Sequence, residues 1–329
     1  MSSFKAFRTF DDAGKAVSRF VDMKLDELDP GEVLIKSEYS TVNYKDALSG
    51  TGTGRIIRRF PCNGGIDVAG RVEVSTDPRF KPGDPVLCNS YDFGVAHDGG
   101  YAEYCRVPAD WVVPLPPGLN TFEAMGLGVA GFTAGLAVER MEACGLRPEN
   151  GPVVVDGATG GVGSVAIEVL AKLGYHVVAL TGKDGESDYL HRIGAKEILS
   201  RKSLDLSRIK PLDKATWAGA VDNLGGEVLA WMASTMKIGG TLASVGLAAS
   251  PALHTTVMPF ILRGVSLLGI DSVNCPMAQR LRIWQKLGGV WKPERTFAAM
   301  RTIAFAELPS VFDGFLQAQV TGRVVVKIA

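Results

Sequence analysis

The chain has 329 residues, more than a single hydrophobic core ordinarily serves, and 46% of them are apolar, so two globular domains are expected. Its 35 Lys and Arg balance 35 Asp and Glu and no basic cluster dominates, which argues against a nucleic-acid or membrane-surface partner. Five cysteines, odd in number and without a C-x-x-C pair, suit reduced thiols in a cytoplasmic protein better than a disulfide framework.

The opening Met1-Ser2-Ser3-Phe4-Lys5 lacks the apolar core of a secretion signal. Up to about residue 120, strand patterns at 32–41, 66–74 and 85–89 alternate with Pro, Gly and Asp punctuation, which predicts a strand-rich domain. The longest apolar run, 124–138, is glycine-rich and bounded by Glu123 and Glu139. It is too short and loose for a bilayer span and reads as a buried helix leading to the second domain.

From Met125 onward helix and strand patterns alternate, as in a doubly wound parallel sheet. The β-branched run Val153-Val154-Val155 fits a strand covered on both faces and runs into Asp156-Gly157-Ala158-Thr159-Gly160-Gly161-Val162-Gly163. Apolar residues at helical spacing follow as far as Gly174. In a G-x-G-x-x-G frame Gly160 and Gly163 are the second and third glycines, and Ala158 stands where the first would be. A turn free of side chains before a helix N-terminus suits a pyrophosphate. The next strand, 176–180, ends at Thr181-Gly182-Lys183, a hydroxyl and a cation where NAD binders place an acid for the ribose 2′-OH. That substitution favours the 2′-phosphate of NADPH.

Later strands are expected at 218–221, 241–245 and 265–270, then a helix over 279–287, a strand near Ala304, a helix over 312–318 and a last strand at 323–328. The terminal strand needs a sheet to join, and the first domain supplies one. The expected division is therefore 1–125 with 276–329 against 126–275, with substrate between the lobes. The apolar strand 265–270 would leave a free sheet edge, which suggests a homodimer.

The segments Asn43-Tyr44-Lys45-Asp46-Ala47, Gly65-Ile66-Asp67-Val68-Ala69-Gly70, Gly157 to Ser164, 217–222, 255–263 and Gly322-Arg323 resemble, nearly end to end, a medium-chain dehydrogenase/reductase. The resemblance falls on the acryloyl-CoA reductase branch of the quinone-oxidoreductase-like enzymes. It implies a GroES-like catalytic domain, a Rossmann NADPH-binding domain, and reduction of acryloyl-CoA to propanoyl-CoA. It also implies cofactor contacts at Tyr44, at Thr159, Gly160, Gly161 and Val162 along the pyrophosphate, at Thr181, Gly182, Lys183 and Arg201 around the 2′-phosphate, and at Leu247, Ile261, Ser272 and Gln319. Leu247 and Ile261 equally suit plain core packing.

Zinc relatives carry His-Glu where this chain has Ile66-Asp67, a cysteine near Tyr44, and a four-cysteine cluster; none of those sets can be assembled here, so no metal is expected. Tyr44 is the candidate donor or positioning group, and Lys45 and Asp46 are expected to pair or to orient its loop. Arg55, Arg58 and Arg59, following a glycine-rich stretch, suit CoA phosphates, the acyl-CoA substrate being implied by the resemblance. Two other readings stay open on the sequence: a quinone or general enone reductase, and a nucleotide-binding protein without turnover.

Overall fold

The computed structural model describes residues 3–329, so Met1 and Ser2 of the opening stretch lie outside the described residues. The chain forms two compact units. Met1–Val129, Val273–Gly289 and Ala299–Ala329 make the first, and Ala130–Ser272 with Val290–Ala298 the second.

The first unit opens on an antiparallel hairpin, β1 (Phe4–Asp12) with β2 (Lys15–Met23). Ala13 and Gly14 turn it with both φ positive, the geometry that matches strand twist in a two-residue loop, and Asp11 Oδ1 accepts the Gly14 amide at 2.7 Å. β3 (Val33–Thr41) leads into α1 (Tyr44–Thr51), whose start is fixed by a capping box between Asn43 and Asp46 and whose end is set by Gly52 in the left-handed region. β4 (Cys62–Asn63) pairs with β1, and β5 (Asp67–Ser75), β6 (Pro85–Asn89), β7 (Tyr104–Val107) and β8 (Val112–Pro114) extend the sheet built on β3. Val33, Ile35, Val68, Val72, Val86 and Val107 fill one core beneath it.

Next comes α2 (Thr121–Ala143), which is long and apolar enough to cross a membrane, yet 83% of its apolar window is buried inside the protein, as in a core helix. Gly128 breaks its helical geometry with φ 51° and ψ −158°.

In the second unit strands and helices alternate: β9 (Val153–Val155), α3 (Gly161–Lys172), β10 (Val177–Thr181), α4 (Ser187–Arg192), β11 (Glu197–Ser200), β12 (Trp217–Asp222), α5 (Gly226–Thr235), β13 (Met236–Ser244), α6 (Met258–Arg263) and β14 (Ser266–Gly269). The six strands form a parallel sheet in the order β11-β10-β9-β12-β13-β14. The order reverses between β9 and β12, so the crevice at their C-terminal ends is the switch point where such sheets bind ligands. Val154, Leu180, Ala220 and Leu242 belong to one core with Val228 and Met232 of α5.

The remainder of the chain serves both units. α7 (Met277–Leu287) lies in the first unit. α8 (Glu294–Phe297) lies in the second, where buried Glu168 of α3 accepts the Arg295 and Thr296 amides at 2.9 and 2.7 Å, so residues 290–298 stand apart from their neighbours in sequence. β15 (Arg301–Ala304), α9 (Phe312–Leu316) and β16 (Val324–Lys327) return to the first unit, β16 pairing antiparallel with β3 as the need of a terminal strand for a sheet predicts.

Candidate active site

In the first unit the site is built around the start of α1. Tyr44 is its first residue and is 44% exposed, large for an aromatic side chain. The backbone beneath it is held by a buried polar network. Asp46 accepts the Asn43 amide and side chain at 2.9 Å each and the Ile66 amide at 3.0 Å. The same Asn43 side chain donates to Asp67 at 2.7 Å, and Asp67 also accepts the Val129 amide at 2.7 Å. Arg323 closes the network through Asn43 Oδ1 at 3.3 Å, Thr41 Oγ1 at 2.9 Å and the Gly126 carbonyl at 2.7 Å. Burial pushes the Asp46 carboxyl up to about 6. Burial and the Asp46 charge push Asp67 up to about 7 against the pull of Arg323. Asp46 therefore orients the loop through Asn43 and Ile66, while Lys45 stays exposed.

In the second unit the glycine turn joins β9 to α3. Gly157 takes φ 52°, and a side chain at Gly163 would lie 2.4 Å from the Gly157 carbonyl, so close packing requires glycine at both. Ala158 is buried, and the positive φ that a tight turn needs falls one residue earlier, which explains the irregular fingerprint. Gly160 is the N-cap of α3 and no side chain caps that helix, so its first-turn amides are available to an anion. Thr159 is buried beside them, and Gly161 and Val162 open the helix.

At the tip of β10, Thr181 Oγ1 accepts the Lys183 amide at 3.1 Å. A Cβ at Gly182 would meet the Arg201 guanidinium at 3.0–3.2 Å, so Arg201 lies directly over this glycine. Partial burial lowers the Lys183 ammonium from its ordinary value, and Asp184 pairs with Lys202. Arg201 is thus brought onto the Thr181-Gly182-Lys183 segment, although 18 residues separate it from Lys183 in sequence. Leu247 and Ile261 are 63% and 71% exposed, which removes core packing as their explanation. Ser272 is half-buried at the end of this unit's first segment.

A feature with no counterpart in the motif pattern sits at the same switch point. Asp156 follows β9 and Asp222 ends β12, both fully buried. Asp156 Oδ1 accepts the Asn223 amide at 2.5 Å, whereas the buried Oδ2 has no hydrogen-bond partner among the described residues; the Asp222 carboxyl is close enough to act on the Asp156 charge. Asp222 accepts the Gly225 amide at 2.8 Å and lies 3.4 Å from the Ser244 hydroxyl. Burial raises both carboxyls, Asp156 strongly with the Asp222 charge as second cause.

The other expected site residues lie in the first unit. Gln319 is exposed, its amide bonded to the Gly314 carbonyl at 2.9 Å. Arg58 forms an ion pair with Asp92, and Arg59 pairs with Asp29 while donating to the Ala96 carbonyl at 2.9 Å, so both already fasten loops. Arg55 instead lines a cavity of about 670 Å³.

A zinc centre does not fit these residues. Among the described residues no three His, Cys, Asp or Glu side chains converge. Burial pushes the Cys62 and Cys105 thiols up to about 12, the opposite of the thiolate a zinc ligand requires. His97 is engaged with the Asp98 and Pro30 carbonyls at 3.1 Å each, away from Cys105, and Asp67 is committed to Asn43 and Val129.

Two family models match the chain: an alcohol dehydrogenase GroES-like domain over residues 29–117 and a zinc-binding dehydrogenase over residues 161–284. The acrylyl-CoA reductase AcuI of Ruegeria pomeroyi is 47% identical over 318 residues, covering 97% of this chain and 96% of that one. The putative quinone oxidoreductase YhfP of Bacillus subtilis is 46% identical over 326 residues, 99% of each chain, and its crystal structure with NAD bound superposes with a TM-score of 0.96. The yhdH oxidoreductase of Salmonella enterica, in a crystal structure with NADP, is 45% identical over 99% of this chain and 100% of that one, with a TM-score of 0.96.

Proposed function

This chain belongs to the medium-chain dehydrogenase/reductase superfamily, and from that premise we propose that it is a cytoplasmic reductase that converts acryloyl-CoA to propanoyl-CoA with NADPH. The first unit is then the GroES-like catalytic domain and the second the Rossmann NADPH-binding domain. The observation that carries the substrate is the likeness to an acrylyl-CoA reductase over nearly the whole of both chains. The placing of Arg201 over Gly182, between Thr181 and Lys183 at the tip of β10, supports NADPH over NADH, because cations here suit a 2′-phosphate and gain nothing from a bare hydroxyl.

NADPH supplies the hydride that reaches the β-carbon of the unsaturated thioester. The protein has to bind the two reactants, stabilise the charge that develops on the thioester oxygen, and deliver a proton to the α-carbon. The α3 amides with Thr159, Gly160, Gly161 and Val162 would hold the pyrophosphate. On this reading Leu247, Ile261 and Ser272 of the second unit would contact the cofactor, and so, from the first unit, would Gln319. Tyr44 donates a hydrogen bond to the thioester oxygen, on a turn made rigid by Asn43, Asp46, Asp67 and Arg323.

Losing a donor of this type costs about 2.7–4 kcal/mol, a hundredfold or more in turnover, so a fall of less than about tenfold in Tyr44→Phe would remove Tyr44 from that role. The quinone or enone reductase reading is favoured by the likeness to YhfP and predicts the same fold and cofactor. Absorbance of NADPH, then of NADH, on mixing with acryloyl-CoA, crotonyl-CoA and a simple quinone separates the readings. Oxidation of NADPH confined to acryloyl-CoA is expected. Quinone-led turnover would replace the substrate, and NADPH binding without turnover would favour the non-catalytic reading.

A further inference from the structure

A cavity of the first unit lies where the β1–β2 hairpin faces the loop that follows α1. About 670 Å³ in volume, it is lined by Lys15 at the start of β2 and by Gly52, Gly54 and Arg55 from the loop, with Phe60 also in its wall. Lys15 and Arg55 are exposed and, among the described residues, their side chains enter no ion pair or hydrogen bond, in contrast to Arg58 and Arg59. Phe60 is 39% exposed, and Ile57 forms the apolar floor. Two uncommitted cations beside an open aromatic face are the groups that recognise a phosphorylated purine nucleoside: guanidinium and ammonium for phosphate oxygens, the ring for the base.

The distance along the fold also fits. Tyr44 begins α1 and Thr51, which lines the cavity, ends it, so the two are about 10–12 Å apart along the helix axis. The pantetheine arm of a coenzyme A thioester spans more than that distance. An acyl group beside Tyr44 therefore has its nucleotide within reach of the cavity. We propose that this cavity is the subsite for the 3′-phosphoadenosine diphosphate end of coenzyme A, with Lys15 and Arg55 on its phosphates and Phe60 against the adenine. The assignment rests on the acyl-CoA reading above.

Asp11 also lines the cavity, and one of its oxygens accepts the Gly14 amide that closes the hairpin turn. Its charge opposes a phosphate. Asp11→Asn keeps the acceptor oxygen for the turn and removes the charge, so it is expected to strengthen binding of the CoA thioester, an effect that a purely structural role for this loop would not produce.

The test compares acryloyl-CoA with acryloyl-pantetheine, which carries the same reacting group without the nucleotide, in the full-length enzyme saturated with NADPH. The wild type is expected to show a KM at least about tenfold lower for acryloyl-CoA, the effect of one charge-assisted hydrogen bond or more. Lys15→Ala with Arg55→Ala is expected to raise the acryloyl-CoA KM to the pantetheine value while turnover of acryloyl-pantetheine shows that the variant is folded, and Arg55→Lys is expected to restore part of the preference. A double variant that keeps the full preference for CoA overturns the subsite, as does a wild type that treats both thioesters alike. A wild type that turns over neither thioester while reducing a quinone overturns the acyl-CoA reading itself and the subsite with it.

Discussion

Arg201 lies over Gly182 so closely that a Cβ would press on its guanidinium at 3.0–3.2 Å, and that neighbour is the far end of a flexible side chain rather than backbone. Gly182→Ala is therefore expected to leave the melting temperature nearly unchanged while swinging the guanidinium away from the 2′-phosphate position. A charge-assisted hydrogen bond removed there is worth roughly 1.5–3 kcal/mol, or about ten- to a hundredfold in Kd. Lys183→Ala and Arg201→Ala are expected to weaken NADPH by that factor and NADH hardly at all. Fluorescence titration of both cofactors reads the difference, and equal losses for the two would dissociate these cations from the 2′-phosphate.

At the same scale, the Asp156–Asp222 pair makes a pH prediction. Burial raises both carboxyls in the folded protein, so the native pair keeps a proton that the unfolded chain releases near the ordinary value of about 4. The native state then binds more protons than the unfolded state above that pH, and stability falls as pH rises, by up to about 1.4 kcal/mol per pH unit for one proton. Asp156→Asn keeps an acceptor for the Asn223 amide and can donate to Asp222 without a shared proton. Urea unfolding between pH 5 and 9 is expected to show a shallower decline in the variant, and an unchanged slope would place the proton elsewhere.

At the scale of elements, α2 depends on Gly128. Its φ of 51° with ψ −158° is a region open essentially to glycine, and a Cβ there would lie 2.8 Å from Thr41 Cγ2 and 2.9 Å from Arg323 Nη2. Gly128→Ala is expected to cost about 1–3 kcal/mol from the backbone alone, with more from displacing Arg323, and to lower the melting temperature by several degrees. Because Arg323 braces Asn43, turnover is expected to fall as well. A variant as stable as the wild type would mean that the kink relaxes into regular helix.

How much of this could be read from sequence follows from what each element exposes as pattern. The parallel strands were legible because they are buried on both faces and written as Val-Val-Val or Trp-Ala-Gly-Ala-Val, whereas the β1–β2 hairpin escaped because Arg and Lys interrupt its alternation and its turn is Ala-Gly. α1 escaped too: Tyr-Lys-Asp-Ala-Leu-Ser-Gly-Thr has no apolar stripe, and only the Asn-x-x-Asp spacing marks its start. In the site, Tyr44 and the glycine turn could be named from their motifs. Asp46 was legible as the acid of that local cap, whereas Asp67, Asp156 and Asp222 matter through burial and through partners far away in the chain, which no local pattern encodes.

At the scale of the whole molecule, the parallel sheet ends in β14, which pairs with β13 on one side and, among the described residues, with no strand on the other. A free edge carrying Leu267 and Leu268 is an aggregation hazard that proteins remove by pairing or charge, and Leu267 is partly exposed there. Antiparallel pairing of two β14 strands about a twofold axis would satisfy both edges and join two six-stranded sheets into one. The homodimer so proposed is expected in size-exclusion chromatography with light scattering at micromolar concentration, and Leu267→Lys is expected to shift it to monomer by placing like charges across the axis. β14 stands three strand spacings from β9, about 14 Å from the turn that holds the pyrophosphate, so the monomeric variant is expected to bind NADPH as the wild type does. A wild type that elutes as a monomer, or a lysine variant that stays dimeric, would move the interface away from this edge, while loss of cofactor binding on dissociation would mean that the dimer completes the nucleotide site.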